Sequence, residues 1–421
     1  MSATSTDEPL GRPDLFEEAR DLLGSAVELR RTLHRWPEIG NELPKTRETV
    51  LEALEGLPLD VTLHESTSGI AALLDGSQPG PTIILRGDMD ALPMPEDTGL
   101  DFSSRVDNTM HACGHDTHTS MLVHAARQLT AHRDELAGRV LFMFQPGEEG
   151  HHGARFMLEE GLLDLPALPD GSASPVTGAF ALHITSTLPS GWLGSRGGSL
   201  MASADRLIVT VTGRGGHASE PYRAIDPIPV ACEMVQALQL MITRSIDVFD
   251  PAVVTVGRIS AGTTNNVIPE RAEIEGTIRA VSEATRAKVH DGIRRVVDGI
   301  SAAHDCGVDV TIEPGYPVTV NDDDFAERAL ATALDVAGPE QVVRFPHPIM
   351  GAEDWSYVLQ RVPGAMVFLG GTPAGKDPAK AAPNHSNRVL FDEDAMITGI
   401  ATYTAMALDH LAPGRSSPTV D

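Results

Sequence analysis

The sequence predicts an α/β protein in which a mostly parallel sheet carries an inserted ferredoxin-like α+β domain. Short, wholly apolar runs alternate with stretches of helical spacing, as strands buried on both faces between covering helices require. Near residue 203 that alternation gives way to the order β-α-β-β-α-β within about 110 residues, the ferredoxin-like succession. The chain, at 421 residues, is also too long for one typical core, so two domains or three are expected.

The elements follow in order. Helical apolar spacing marks LFEEARDLLGSAVELRRTLHRW (15–36) and PKTRETVLEALEGL (44–57). The apolar runs GIAALL, TIILRG, RVLFMFQ and GAFALHI read as buried strands. A helix, DTHTSMLVHAARQLTAH (116–132), separates the second run from the third, and GARFMLEEGLL precedes the fourth. From 203 to 315 the reading is strand RLIVTVTG, helix PIPVACEMVQALQLMITRS, strands AVVTVGRIS and RAEIEGTIRA, helix SEATRAKVHDGIRRVVDGISAAHD and strand VDVTIEPG. The α/β style then resumes with DFAERALATALDVAG, WSYVLQRV and AMVFLGG. The domains expected are therefore 14–202 and 316–412 for the larger one, with 203–315 inserted.

Composition narrows the partners. Fifty-nine acidic residues against 32 basic ones leave a net charge of −27, which repels nucleic acid and anionic membrane surfaces. No run approaches the 18 or so apolar residues of a membrane span. The start, MSATSTDEPLGRPD, has neither a basic stretch nor an apolar one, so no signal peptide is read and a cytoplasmic setting is expected. Three cysteines, Cys113, Cys232 and Cys306, cannot all pair. Cys232 and Cys306 are expected to be buried free thiols. The first dozen residues and the tail APGRSSPTVD read as disordered ends.

Chemistry concentrates in one third of the chain. Eight of the 16 histidines lie between positions 111 and 183, and TMHACGHDTHTS (109–120) holds three of them with Cys113 and Asp116. Imidazole, thiolate and carboxylate are the ligands of zinc and its borderline neighbours. Cys113 and His115 stand just ahead of a helix whose expected N-cap is Asp116, so they can meet one metal or two neighbouring ones. His111 and His118 fit supporting roles better. Asp88 and Asp90 follow the strand TIIL, Glu148 and Glu149 follow VLFMF, and His183 closes GAFALH. In open α/β sheets such strand ends gather at one crevice. Of two adjacent carboxylates, one can hold a metal while the other handles protons.

Other chemistries drop out. There is no HExxH, GxSxG or P-loop lysine pattern. GRGGHA (213–218) fits a relaxed dinucleotide fingerprint, but Pro221, Pro227 and Pro229 delay the following helix, leaving no helix start for a pyrophosphate.

Ten segments in order resemble the aminoacylase/carboxypeptidase family of two-metal amidohydrolases, in particular its hippurate hydrolase and indole-acetyl-amino-acid hydrolase branch. They are LHRWPEIGNE, LRGDMDALPMPEDTG, MHACGHDTHTSML, FQPGEEGHHGARFMLEEG, ALHI, GRGGHAS, NNVIPE, GTIR, MGAEDWSY and NHSNRVLFDEDA. The resemblance implies that Cys113, His115, Glu149, His183 and His385 hold two divalent ions, zinc or manganese, with cobalt or nickel as alternatives. It makes Glu148 the general base and Asp90 a carboxylate that orients a ligand. The inserted domain becomes a lid and dimerisation surface. His217 would polarise the scissile carbonyl, often from the partner subunit, and Asn266 and Arg279 would hold the substrate's carbonyl or carboxylate. Arginine suits a carboxylate through its planar fork.

The implied activity is hydrolysis of N-acyl amino acids by a homodimer, with a tetramer as the alternative. A carboxypeptidase or dipeptidase using the same site is the second reading. A non-catalytic metal-dependent binding protein is the third, and retention of Glu148 beside the full ligand set weighs against it. Two departures, the polar GTTNNVIPE and the missing second histidine or aromatic after His385 in SNRV, fall on acyl-pocket specificity.

Overall fold

A computed structural model describes residues 12–168 and 171–413. The ends read as disordered lie outside the described residues, apart from Arg12, Ala412 and Pro413. The chain opens with helices α1 (Pro13–Arg35) and α2 (Pro44–Leu54), then strands β1 (Asp60–Leu63), β2 (Ile70–Asp75) and β3 (Gln78–Asp88). Next come α3 (His115–Ala131), β4 (Ala137–Gln145), α4 (Gly153–Glu159), β5 (Val176–Pro189), β6 (Leu193–Ser195) and β7 (Gly198–Met201). The middle of the chain holds β8 (Asp205–Thr212), β9 (Gly216–His217), α5 (Pro227–Ser245), β10 (Ala252–Ala261), β11 (Val267–Ile268), β12 (Arg271–Ala280), α6 (Glu283–Ala303) and β13 (Gly307–Pro314). It finishes with β14 (Thr319–Asn321), α7 (Asp323–Ala337), β15 (Val342–Arg344), α8 (Ser356–Leu359), β16 (Gly364–Thr372) and α9 (Ala395–His410).

Two compact units result. One takes in the chain up to Gly198, Val320–Pro346 and the chain from Tyr357 onward; the other is Ser199–Thr319 with His347–Ser356. The second unit thus begins and ends a few residues outside the expected 203 and 315, and it gains a segment expected in the first. The backbone N–H of Ala202 donates to the carbonyls of Ile349 and Gly351, which ties that segment down.

The first unit is an eight-stranded sheet in the order β1-β2-β4-β3-β5-β16-β6-β15. Its centre is parallel, β4 with β3, β3 with β5 and β5 with β16, while β1, β2 and the β16–β6 pair run antiparallel. Eight of the nine residues of β4 are buried, which is why it reads as an unbroken apolar run. Helices α3 and α9 are buried along almost their whole length against α1 and the sheet. No helix among the described residues is long and apolar enough to cross a membrane.

The second unit has the four-stranded antiparallel order β10-β12-β8-β13, the ferredoxin-like arrangement. Helices α5 and α6 bury Val230, Met234, Leu238, Val289, Ile293 and Val297 in a core with Val209, Ile274 and Ile278. Cys232 corrects the sequence reading. The buried stripe of α5 runs through Val230, Ala231, Met234, Leu238 and Met241, so position 232 falls off it and the thiol is exposed.

Candidate metal centre

The parallel strands of the first unit end along one edge, and their side chains meet there. Asp88 closes β3, Glu148 and Glu149 follow β4, and His183 lies within β5. Between β3 and α3 the chain makes a turn at Gly114 with φ +90°. A side chain there would come within 2.4 Å of Ile184 Cγ2, so this position takes glycine for both conformation and space. The turn sets Cys113 and His115 on either side of it. Helix α3 starts at His115, not after Asp116. Asp116 is no cap: its carboxylate is buried and accepts from Arg30 Nε at 2.8 Å and His34 Nδ1 at 2.9 Å, both from α1.

Two donor groups share one sulfur. Cys113, His115 and His183 form the first, and Cys113, Glu149 and His385 the second. Cys113 Sγ lies 3.4 Å from His183 Nε2 and 3.2 Å from His385 Nε2, and His385 Nε2 lies 3.1 Å from Glu149 Oε1. Glu148 Oε2 is 4.0 Å from His115 Nε2.

Both buried imidazoles have their tautomers fixed from behind. His115 Nδ1 donates to the Asp90 carbonyl at 2.8 Å, and His183 Nδ1 donates to the Ile184 carbonyl at 2.8 Å. Each ring therefore turns an Nε2 lone pair toward the cluster. Asp90 does more than orient His115, since its two oxygens accept the backbone N–H groups of Glu148 and Glu149, each at 3.0 Å.

This donor set fits divalent cations. Among the described residues His115 Nε2 is buried without a hydrogen bond, which is costly unless something else engages it. Burial pushes the Cys113 thiol above its usual pKa and the Glu149 charge adds to that, so only a strong cation would make it the thiolate that binds metal. His385 is raised to about 10 by its bonds to Cys113 and Glu149, a sign of the same surplus of negative charge.

The remaining histidines divide. His118 donates from Nδ1 to Asp88 Oδ1 at 2.5 Å and accepts the Ile184 N–H on Nε2 at 2.7 Å, so it supports the cluster without a free lone pair. Asp88 is also held by Arg86 Nη1 at 2.6 Å. His111 is buried with no hydrogen-bond partner on either ring nitrogen among the described residues, and burial above all pushes it down to about 3.

The three residues expected from the inserted domain lie in the second unit. His217 and Asn266 come together where β9 pairs with β11, His217 opposite Val267, lining a hollow of about 460 Å³. His217 Nδ1 accepts the Ser219 backbone N–H at 3.1 Å, which leaves the proton on Nε2. Arg279 sits on β12 opposite Val253, half-buried, and its side chain makes no hydrogen bond or ion pair among the described residues. Sequence reasoning missed Asn384, whose side chain ties Cys113 to Ile184; its one signal is adjacency to His385.

Residues 84–409 match the family described as Peptidase family M20/M25/M40. Thermostable carboxypeptidase 1 of Saccharolobus solfataricus is 35% identical over 94% of this chain and 97% of its own. N-acetylcysteine deacetylase of Bacillus subtilis is 37% identical over 91% of this chain and 96% of its own. IAA-amino acid hydrolase ILR1-like 2 of Arabidopsis thaliana is 34% identical over 96% and 89%. The crystal structure of the Bacillus subtilis YXEP protein, a dinuclear metal binding peptidase from M20 family, matches with a TM-score of 0.79 and 32% identity, covering 93% of this chain and 99% of that one.

Proposed function

The chain belongs to peptidase family M20/M25/M40, and on that premise we propose that it hydrolyses N-acyl amino acids to a carboxylic acid and a free amino acid. It is a metal-dependent amide hydrolase. The observation that carries the reading is one buried sulfur shared by two donor groups, with a second carboxylate beside them.

In this proposal Cys113, His115 and His183 hold one divalent ion, and Cys113, Glu149 and His385 hold the other. Zinc or manganese suits these donors, and so do cobalt and nickel. When bound, the ions lower the pKa of a water and polarise the substrate carbonyl. Glu148 would take a proton from the attacking water as the water's oxygen adds to the amide carbon. The same carboxylate returns the proton to the nitrogen as the C–N bond breaks, so it ends as it began. Asp90 keeps Glu148 and Glu149 in place through their backbone N–H groups. Arg279 receives the substrate carboxylate, and a guanidinium that makes no side-chain hydrogen bond or ion pair among the described residues supports that role. His217 presents Nε2–H to the developing oxyanion, from the partner subunit of a homodimer, and the Asn266 amide assists. A cytoplasmic setting belongs to the same proposal.

A second reading is favoured by the match to thermostable carboxypeptidase 1: the acyl group is itself a peptide or aminoacyl group. Free amino acid released from N-acetyl, N-benzoyl and N-indoleacetyl amino acids, compared with dipeptides, tests both. Release must depend on added manganese or zinc and vanish with chelator. Preference for dipeptides would transfer the assignment to the second reading. Silence across the whole panel, in protein carrying metal, would end both. Sedimentation velocity checks the dimer.

A further inference from the structure

Three stretches of chain meet at the shared sulfur, and one side chain touches all three. Asn384 Nδ2 donates to the Cys113 carbonyl at 3.1 Å and to the Ile184 carbonyl at 2.9 Å. Its Oδ1 accepts the Ser186 backbone N–H at 3.1 Å. The reverse amide orientation would aim an oxygen at two carbonyls, so the bonding fixes it. Ile184 O is also the acceptor that sets the His183 tautomer. His385, the next residue, has φ +67°, a conformation that costs a non-glycine residue energy and persists only where its surroundings enforce it. Its own N–H donates to the Ala112 carbonyl at 2.9 Å.

We infer that Asn384 is a positioning residue that sets the spacing of His183 and His385 about the Cys113 sulfur, and so makes the sulfur shareable by two ions. The inference rests on the two-ion reading above. Without the amide, the loop keeps the His385 N–H bond to Ala112 and the Ser186 hydroxyl bond to the Ala382 carbonyl, but loses the side-chain bonds that fix its spacing from the Cys113 and Ile184 carbonyls. The ion held by Glu149 and His385 should then suffer first.

Cobalt(II) titration of metal-depleted protein tests this. Wild type should take up two equivalents per chain, with thiolate-to-cobalt absorption growing through both. Asn384→Asp, which keeps the shape but replaces the donor by a carboxylate oxygen, should bind one equivalent much as wild type. The second should bind roughly 10- to 100-fold more weakly, the scale for groups that orient ligands. Its circular dichroism should stay that of the folded protein, and activity lost at limiting metal should return with excess. A folded variant that binds both equivalents with native affinity and spectrum would overturn the inference. Asn384→Ala, which removes the amide without adding charge, gives the same test should the aspartate variant not fold. A wild-type protein that takes up only one cobalt would overturn the two-ion reading itself, and this inference with it.

Discussion

The two units of this chain are both sheets covered by helices, yet they place their charges in opposite ways. In the first, the strand ends carry Asp88, Asp90, Glu148 and His183, all buried. In the second, the strands carry exposed ion pairs, Arg206 with Glu275 and Glu313, and Arg258 with Glu273. Its buried carboxylates are Glu353, Asp354 and Asp205, the last accepting from Arg286, His290 and the Gly315 N–H. Sheet direction accounts for the difference. Parallel neighbours all end at one edge, so functional side chains converge; antiparallel neighbours send alternate ends to opposite edges. A parallel core concentrates chemistry, and an antiparallel one spreads it.

Substitutions in the two units should therefore separate cleanly, and the largest effect belongs to the first. Glu148→Gln should cut turnover by about 10³-fold or more while metal content, read by mass spectrometry, stays at wild-type level. Near-native turnover would remove Glu148 as the base. Next comes Cys113→Ala, expected to weaken metal binding by more than about 100-fold, since even groups behind the ligands cost 10- to 100-fold. Unchanged stoichiometry in dialysed protein would argue against a thiolate ligand.

In the second unit, His217→Ala should slow hydrolysis by roughly 10²-fold with metal content intact. A loss of metal instead would erase the division drawn here. Mixing this variant with Glu148→Gln protein under subunit exchange should restore some activity if the histidine acts across a dimer.

Asp205→Asn should leave the metal untouched and lower unfolding stability by roughly 3 kcal/mol, the scale for stranding a buried partner such as Arg286. The sign with pH follows from the folded state. Burial alone would raise the Asp205 carboxyl, but bonds from His290 and Arg286 outweigh it and hold the group at about 2. A depressed carboxyl stabilises the fold above its unfolded value, near 3.9, and that gain fades as pH falls toward 2. Urea titrations should therefore show wild type and variant converging between neutral pH and pH 2. Smallest of all, Arg206→Ala should leave the melting temperature unchanged, because its partners sit in water.

Much of this was legible without coordinates. The apolar runs of β3, β4 and β5 and the ferredoxin-like order are local patterns set by burial on one or both faces. Glu148, Glu149 and His183 could be placed together because each follows or closes such a run. Asp116 could not. Its position before an apolar helix is that of a cap, and only Arg30 and His34, more than 80 residues earlier, make it a buried ion-pair centre. Cys232 failed for a related reason, since a mostly apolar helix does not announce which side its neighbours cover. Asn384 looked like any polar loop residue until Cys113 and Ile184 stood on either side of it.

What the sequence determined by itself was the kind of donor and the order of the elements that carry them, because side-chain chemistry and helix or strand periodicity are properties of neighbouring residues. Tertiary structure alone decided which donors share an atom. Cys113 meets His183 across 70 residues and His385 across 272, and no local pattern encodes a distance of 3.4 Å or 3.2 Å between them. The tautomers of His115, His183 and His217 were settled the same way, by a backbone group arriving behind each ring.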